Sequence, residues 1–161
     1  MNSLLTPERK PVFMAVLIAI ITGGVGGLAT EIGPWYFALV KPSWQPPDWL
    51  FGPVWTTIYV LTGIAGVRAW RLGDEVQRRY LLGALWLNIV LNILWSAIFF
   101  TAHRPDIALI EVVPLWLSIL LMALLVRRYS PLSALLLLPY LVWVGFAAYL
   151  NWTIVKLNAP F

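Results

Sequence analysis

YLLGALWLNIVLNILWSAIFFTA, residues 80–102, contains no Asp, Glu, Lys or Arg. At 1.5 Å per residue, a helix of this length reaches about 35 Å, enough to cross a hydrocarbon core of about 30 Å. Four further apolar stretches flank it, giving expected spans at about 11–30, 51–70, 79–102, 106–127 and 132–156. Of 161 residues, 61% are hydrophobic and 11% charged, far from the balance of a soluble domain. None of the stretches alternates with period two, and backbone polar groups must be satisfied inside the bilayer, so helices are expected and a barrel is not. The fold class is an all-α membrane protein, a single domain over 1–161 with five transmembrane helices and a long aromatic, Pro-rich first loop. The first span, behind Arg9 and Lys10, also fits a signal peptide with Gly27-Leu28-Ala29 as its cleavage site.

Cysteine is absent, which excludes disulfides, thiolate metal sites and a cysteine nucleophile. The net charge of +4 comes from residues flanking the spans, so it indicates membrane orientation and not nucleic-acid binding. With five spans, Arg9, Lys10, Arg68, Arg71, Arg78, Arg79, Arg127 and Arg128 share one side, against Lys41, Arg104 and Lys156. The positive-inside rule then puts the N-terminus in the cytoplasm, and the apolar helices favour an inner membrane.

Residues 30–51, TEIGPWYFALVKPSWQPPDWLF, form the one long connection. Pro34, Pro42, Pro46 and Pro47 impose irregular chain or short turns, yet the segment is as aromatic as the spans. Two readings fit: an interfacial aromatic belt, or a lid folded onto the bundle. Ala15, Ala19, Gly23 and Gly27 recur every four residues, a seam for close helix packing inside the bundle or in a dimer.

Polar residues inside spans need a partner or a purpose. Asn88, Asn92, Trp95 and Phe99 share one face of the third span at helical spacing, as Trp143, Ala147 and Asn151 do in the fifth. Trp55 and Tyr59 begin the second span and Glu111 lies near the start of the fourth. The topology brings all of them to the same half of the bundle, beneath a loop that carries Tyr36 and Trp44. Such a set suits a cavity for a large, flat, apolar ligand, or interhelical hydrogen-bond glue in which Glu111 pairs with the amides or with Arg104. No nucleotide loop, glycosidase-like acid pair or Ser-His-Asp set is present. The sole histidine, His103, reads as a residue of the short third loop, so neither a metal site nor a required cofactor is expected.

Trp35-Tyr36-x-x-Leu39-x-Lys41-Pro42-x-Trp44-x-Pro46-Pro47, followed by Pro53-x-Trp55-Thr56-x-x-Tyr59, resembles the translocator protein family, TspO, once called the peripheral benzodiazepine receptor. Asn88-x-x-x-Asn92-x-x-Trp95-Ser96-x-x-Phe99-Phe100, Ala108-x-x-Glu111 with Leu115-Trp116, and Pro139-Tyr140-Leu141-x-Trp143-x-x-Phe146-Ala147-x-Tyr149-Leu150-Asn151 extend the likeness to about residue 152. It implies a five-helix bundle, often a homodimer, that binds porphyrins such as protoporphyrin IX and haem, sterols in eukaryotic members, and benzodiazepine-type ligands. It also implies light- and oxygen-dependent porphyrin breakdown in some bacterial members. A regulatory or scaffold protein acting through dimerisation and partners, with the cavity incidental, is the rival reading. Carried over, the ligand pocket takes Tyr36, Trp55, Tyr59, Asn92, Trp95, Leu115, Trp143, Ala147 and Asn151. Trp55 and Trp143 would be catalytic only if porphyrin is degraded, while Asn92, Asn151 and Tyr36 would offer hydrogen bonds. The sterol motif of animal members is broken here: Trp152 stands near the expected tyrosine, and Tyr149 is six intervening residues from Lys156.

Overall fold

The computed structural model describes residues 11–13, 16, 23, 24, 30 and 32–161. Most of the expected first span, including Ala15, Ala19, Gly27 and the Gly27-Leu28-Ala29 site, lies outside the described residues. Residues 11–13, 16, 23 and 24 are helical. The remainder folds into a short helix α1 (Pro34–Ala38) and long helices α2 (Asp48–Leu72), α3 (Glu75–Ser96), α4 (Pro105–Val126) and α5 (Pro131–Asn158), with a π turn at Ala97–Thr101 prolonging α3. Among the described residues there is no strand, and four helices are long and apolar enough to cross a membrane.

Local chemistry sets the helix ends. Pro47 delivers an extended chain to α2, whose first turn holds Asp48, an acidic group suited to the positive end of the helix dipole. This start lies inside the loop expected to be irregular. At the other end, Arg78 Nε donates to Trp70 O at 2.8 Å, capping carbonyls that α2 leaves unpaired. Helix α3 opens on a capping box: Gln77 N donates to Asp74 Oδ1 at 2.8 Å and Asp74 N to Gln77 Oε1 at 3.0 Å. The hairpin between them is tight enough that a Cβ on Gly73 would lie 3.0 Å from Ala69 O, a close approach that glycine meets without displacing the helix end.

The core is stacked in three layers along the bundle. Ala65, Ala69, Leu81, Ala84, Met122, Val126 and Leu137 fill the arginine-rich end. Ile58, Val112, Leu115, Ile119, Tyr140 and Val144 fill the middle. Tyr36, Phe99, Ala108, Leu150 and Ile154 close the opposite end, drawing α1 into the core. Most of the outward apolar side chains, such as Ile110, Val142 and Trp86, are exposed, as expected where the solvent is lipid.

The first loop is a lid tied down at several points. Trp35 stacks on His103 with ring centroids 4.2 Å apart, so His103 is a docking point as well as an exposed loop residue. Val40 N donates to Asn158 Oδ1 at 2.8 Å and Asn158 Nδ2 to Val40 O at 2.9 Å, pinning the loop to the end of α5. Lys41 Nζ sits 3.5 Å above the Tyr36 ring, a cation–π contact.

Candidate functional site

A cavity of about 1360 Å³ runs under this lid and along α2. Tyr36, Trp55, Tyr59, Asn92, Trp95, Trp143 and Ala147 line it, so seven of the twelve expected ligand-binding residues come together. The other five hold the wall from behind or lie outside it. Trp44 stacks on Tyr149 at 5.2 Å and meets the edge of Phe146, on the outer face of α5. Leu115 is enclosed in the middle core layer. Asn88, Glu111 and Asn151 are buried between helices.

The amides form a relay joining all four long helices. Tyr59 Oη donates to Asn92 Oδ1 at 3.2 Å, Asn92 Nδ2 to Tyr140 Oη at 3.0 Å, and Tyr140 Oη to Asn88 Oδ1 at 3.2 Å. Asn88 Nδ2 then donates to Ser118 Oγ at 2.8 Å, which donates to Leu115 O at 2.7 Å. Buried polar groups in lipid are tolerated when each finds such a partner. Tyr140 and Ser118 join the relay from α5 and α4, a link across helices that spacing within one helix does not disclose. Asn151, in the amide orientation that satisfies both atoms, donates to Pro105 O at 3.0 Å and accepts from Leu109 N at 3.1 Å, clamping α5 onto the first turns of α4.

Asn92 and Asn151 are engaged by the protein, and Tyr36 Oη donates to Asp48 Oδ1 at 2.8 Å while accepting from Gln45 Nε2 at 3.2 Å. Burial, then the hydrogen bond to Asp48, pushes the Tyr36 phenol above its ordinary pKa, so it stays a donor. Among the described residues, the buried polar atoms without a partner include Trp95 Nε1 and Trp143 Nε1, indole donors on two cavity-lining residues. Indole N–H groups normally find an acceptor when buried, and the protein gives neither of these one.

Phe99 is the clearest displacement. Spacing from Trp95 puts it on the cavity face, but Phe99 is core and Phe100 lines the cavity. The π turn at Ala97–Thr101 is the cause: Ala102 N donates to Ala97 O at 2.8 Å, and this wider i→i+5 turn brings residue i+5 where i+4 would stand. Trp95 stacks on Phe99 at 5.3 Å and meets Phe100 edge-on at 6.1 Å, so the bulge continues the aromatic wall on both sides.

Glu111 pairs with neither Arg104 nor the amides. Arg104 grips Asp106, with Nε 2.8 Å from Oδ1, and both Glu111 carboxylate oxygens are buried without a partner. Counting two turns along antiparallel α3 and α4 from the Asn88–Ser118 contact places Glu111 level with Trp95. A carboxylate without partners is costly there, so Glu111→Gln, with the same shape and no charge, is expected to keep or raise the melting temperature in detergent. Glu111→Lys should prevent folding. A clear loss of stability in Glu111→Gln would show that the carboxylate is satisfied.

No group of three or more His, Cys, Asp or Glu able to hold a metal occurs among the described residues. Compared with known proteins, the chain matches the TspO/MBR family over residues 14–157. It is 47% identical over 150 residues to the tryptophan-rich protein TspO of Chlorobaculum tepidum, covering 90% of this chain and 94% of the relative. It is 37% identical to protein CrtK of Rhodobacter capsulatus, covering 91% and 92%, and 39% identical to the human translocator protein, covering 77% and 75%. The family match over residues 14–157, with four helices long and apolar enough to cross a membrane, makes this chain an integral membrane protein belonging to the TspO/MBR family.

Proposed function

We propose that the chain binds tetrapyrroles such as protoporphyrin IX and haem, and other large apolar ligands, in the tryptophan-lined part of the cavity, and acts in porphyrin sensing, transport or disposal. The observation that carries this reading is the convergence of Tyr36, Trp55, Tyr59, Trp95 and Trp143 on one cavity beneath the lid. A flat macrocycle supplies faces on which the tryptophan rings can pack. The name of the human relative, a translocator protein, is consistent with transport. We further propose five spans, the first at about 11–30, in the inner membrane with a cytoplasmic N-terminus, supported by the uneven arginine and lysine distribution.

The test is titration of protoporphyrin IX into the purified protein in lipid nanodiscs, followed by tryptophan fluorescence. Quenching that saturates as protoporphyrin is added is expected. Quenching that climbs without saturation, as partition into empty nanodiscs would give, overturns the reading.

A further inference from the structure

The cavity is too long and too mixed in chemistry for one flat ligand. Ligand pockets for drug-sized molecules hold about 300–1,000 Å³, and this one reaches about 1360 Å³. Below Tyr59 its lining, among the described residues, carries no aromatic ring and continues through Val60, Ile64, Val67 and Leu136 to Arg68 and Arg71. From Trp55 to Arg68 the rise along α2 is about 20 Å, more than the half-thickness of the hydrocarbon core, about 15 Å. Arg68 and Arg71 are three residues apart and neighbours on one helix face.

An aliphatic channel of one leaflet's depth ending in two guanidinium groups has the chemistry of a phospholipid site. We propose that this arm of the cavity binds one anionic phospholipid of the surrounding bilayer, its phosphate between Arg68 and Arg71 and one acyl chain lying along α2. Guanidinium forks match phosphate oxygens in geometry and charge, and basic pockets between transmembrane helices select anionic headgroups. A soluble phosphate would leave the aliphatic wall uncovered. A lipid covers it, and the arm is bordered by the exposed side chains of Ile64 and Leu132, from which a chain can enter. The site uses the half of the cavity that the tetrapyrrole reading does not need, so either stands without the other.

Electron paramagnetic resonance of chain-labelled phosphatidylglycerol or phosphatidylcholine, as traces in phosphatidylcholine vesicles holding the full chain, tests it. The wild type should show about a ten-fold preference for the phosphatidylglycerol probe in the motionally restricted fraction. Arg68→Gln with Arg71→Gln should abolish the preference, whereas Arg127→Gln with Arg128→Gln, an equal loss of charge on the same side, should retain it. Val60→Trp, which obstructs the chain path and spares both arginines, should shrink the restricted fraction, and inorganic phosphate should fail to displace the lipid. Equal restriction of the two probes in the wild type, equal losses in the two arginine pairs, or displacement by phosphate alone would each overturn the proposal. Protoporphyrin quenching on the Arg68→Gln, Arg71→Gln protein should match the wild type, which separates failure of this site from failure of the aromatic one.

Discussion

Tyr140→Phe is expected to destabilise the folded chain by about 2 kcal/mol in detergent micelles, a large effect for one oxygen atom. The Tyr140 hydroxyl is the middle of the relay, accepting from Asn92 Nδ2 and donating to Asn88 Oδ1, and its ring is almost fully enclosed in the middle core layer. Phenylalanine preserves that packing and leaves two amide groups short of a partner. Each buried unsatisfied group costs about 1–3 kcal/mol in soluble proteins, while interhelical bonds in membranes average nearer 0.6 kcal/mol, and two such losses combine to the figure above. Chemical denaturation of the single variants and of a Tyr140→Phe, Asn92→Leu double variant would check it. The double variant should cost clearly less than the sum, because both changes break the same bond. Strict additivity would show that the relay does not act as a unit. Ligand affinity should fall as well, since Asn92 and Tyr59 reach the cavity wall in orientations fixed through Tyr140.

How far the sequence discloses this architecture depends on how local each determinant is. The four described spans are legible because a run of some twenty apolar residues has few other folded uses, and α4 (Pro105–Val126) matches its expected bounds within a residue or so. The start of α2 is less legible: Pro46-Pro47 and the aromatics around them read as loop, yet Asp48 begins the helix and Pro53 sits within it. Periodicity puts Asn88 and Asn92 on one face but cannot say what stands opposite. Asn88 meets Ser118 and Tyr140, whereas Asn92, one turn on, also reaches the cavity, and only helix register separates the two. The π turn at Ala97–Thr101 has no residue signature at all, so the exchange of Phe99 for Phe100 is beyond pattern reading. Resemblance to a family located the tryptophans of the wall, but it did not indicate that Asn151 spends its amide on the backbone of α4. Nor did it reveal that the indole N–H groups of Trp95 and Trp143 are buried without a partner.

Replacing both Trp55 and Trp143 by alanine is expected to weaken protoporphyrin binding by roughly 100-fold. Aromatic anchors at the centre of a desolvated site typically cost about 2 kcal/mol or more each when truncated, and two that face one ligand sum to less than twice that. A loss of about 3 kcal/mol corresponds to about 100-fold in affinity. Both residues also support the wall: Trp55 lies 5.5 Å from the Tyr59 ring and 5.9 Å from Tyr140, while Trp143 packs against Phe51 at 5.6 Å and Phe146 at 5.3 Å. Alanine therefore also removes packing, and a Trp55→Phe, Trp143→Phe pair isolates the ligand contribution by keeping ring faces and deleting indole N–H groups. That pair should lose about ten-fold, as befits a lost hydrogen bond and a smaller face, with circular dichroism unchanged. Trp44→Ala provides the contrast, because Trp44 stacks on Tyr149 outside the cavity lining and should leave affinity within a factor of about two, as for a contact outside the buried centre. If Trp44→Ala weakens binding as much as the double variant does, the porphyrin is held on the outer face of the lid and α5, and the cavity beneath is not its site.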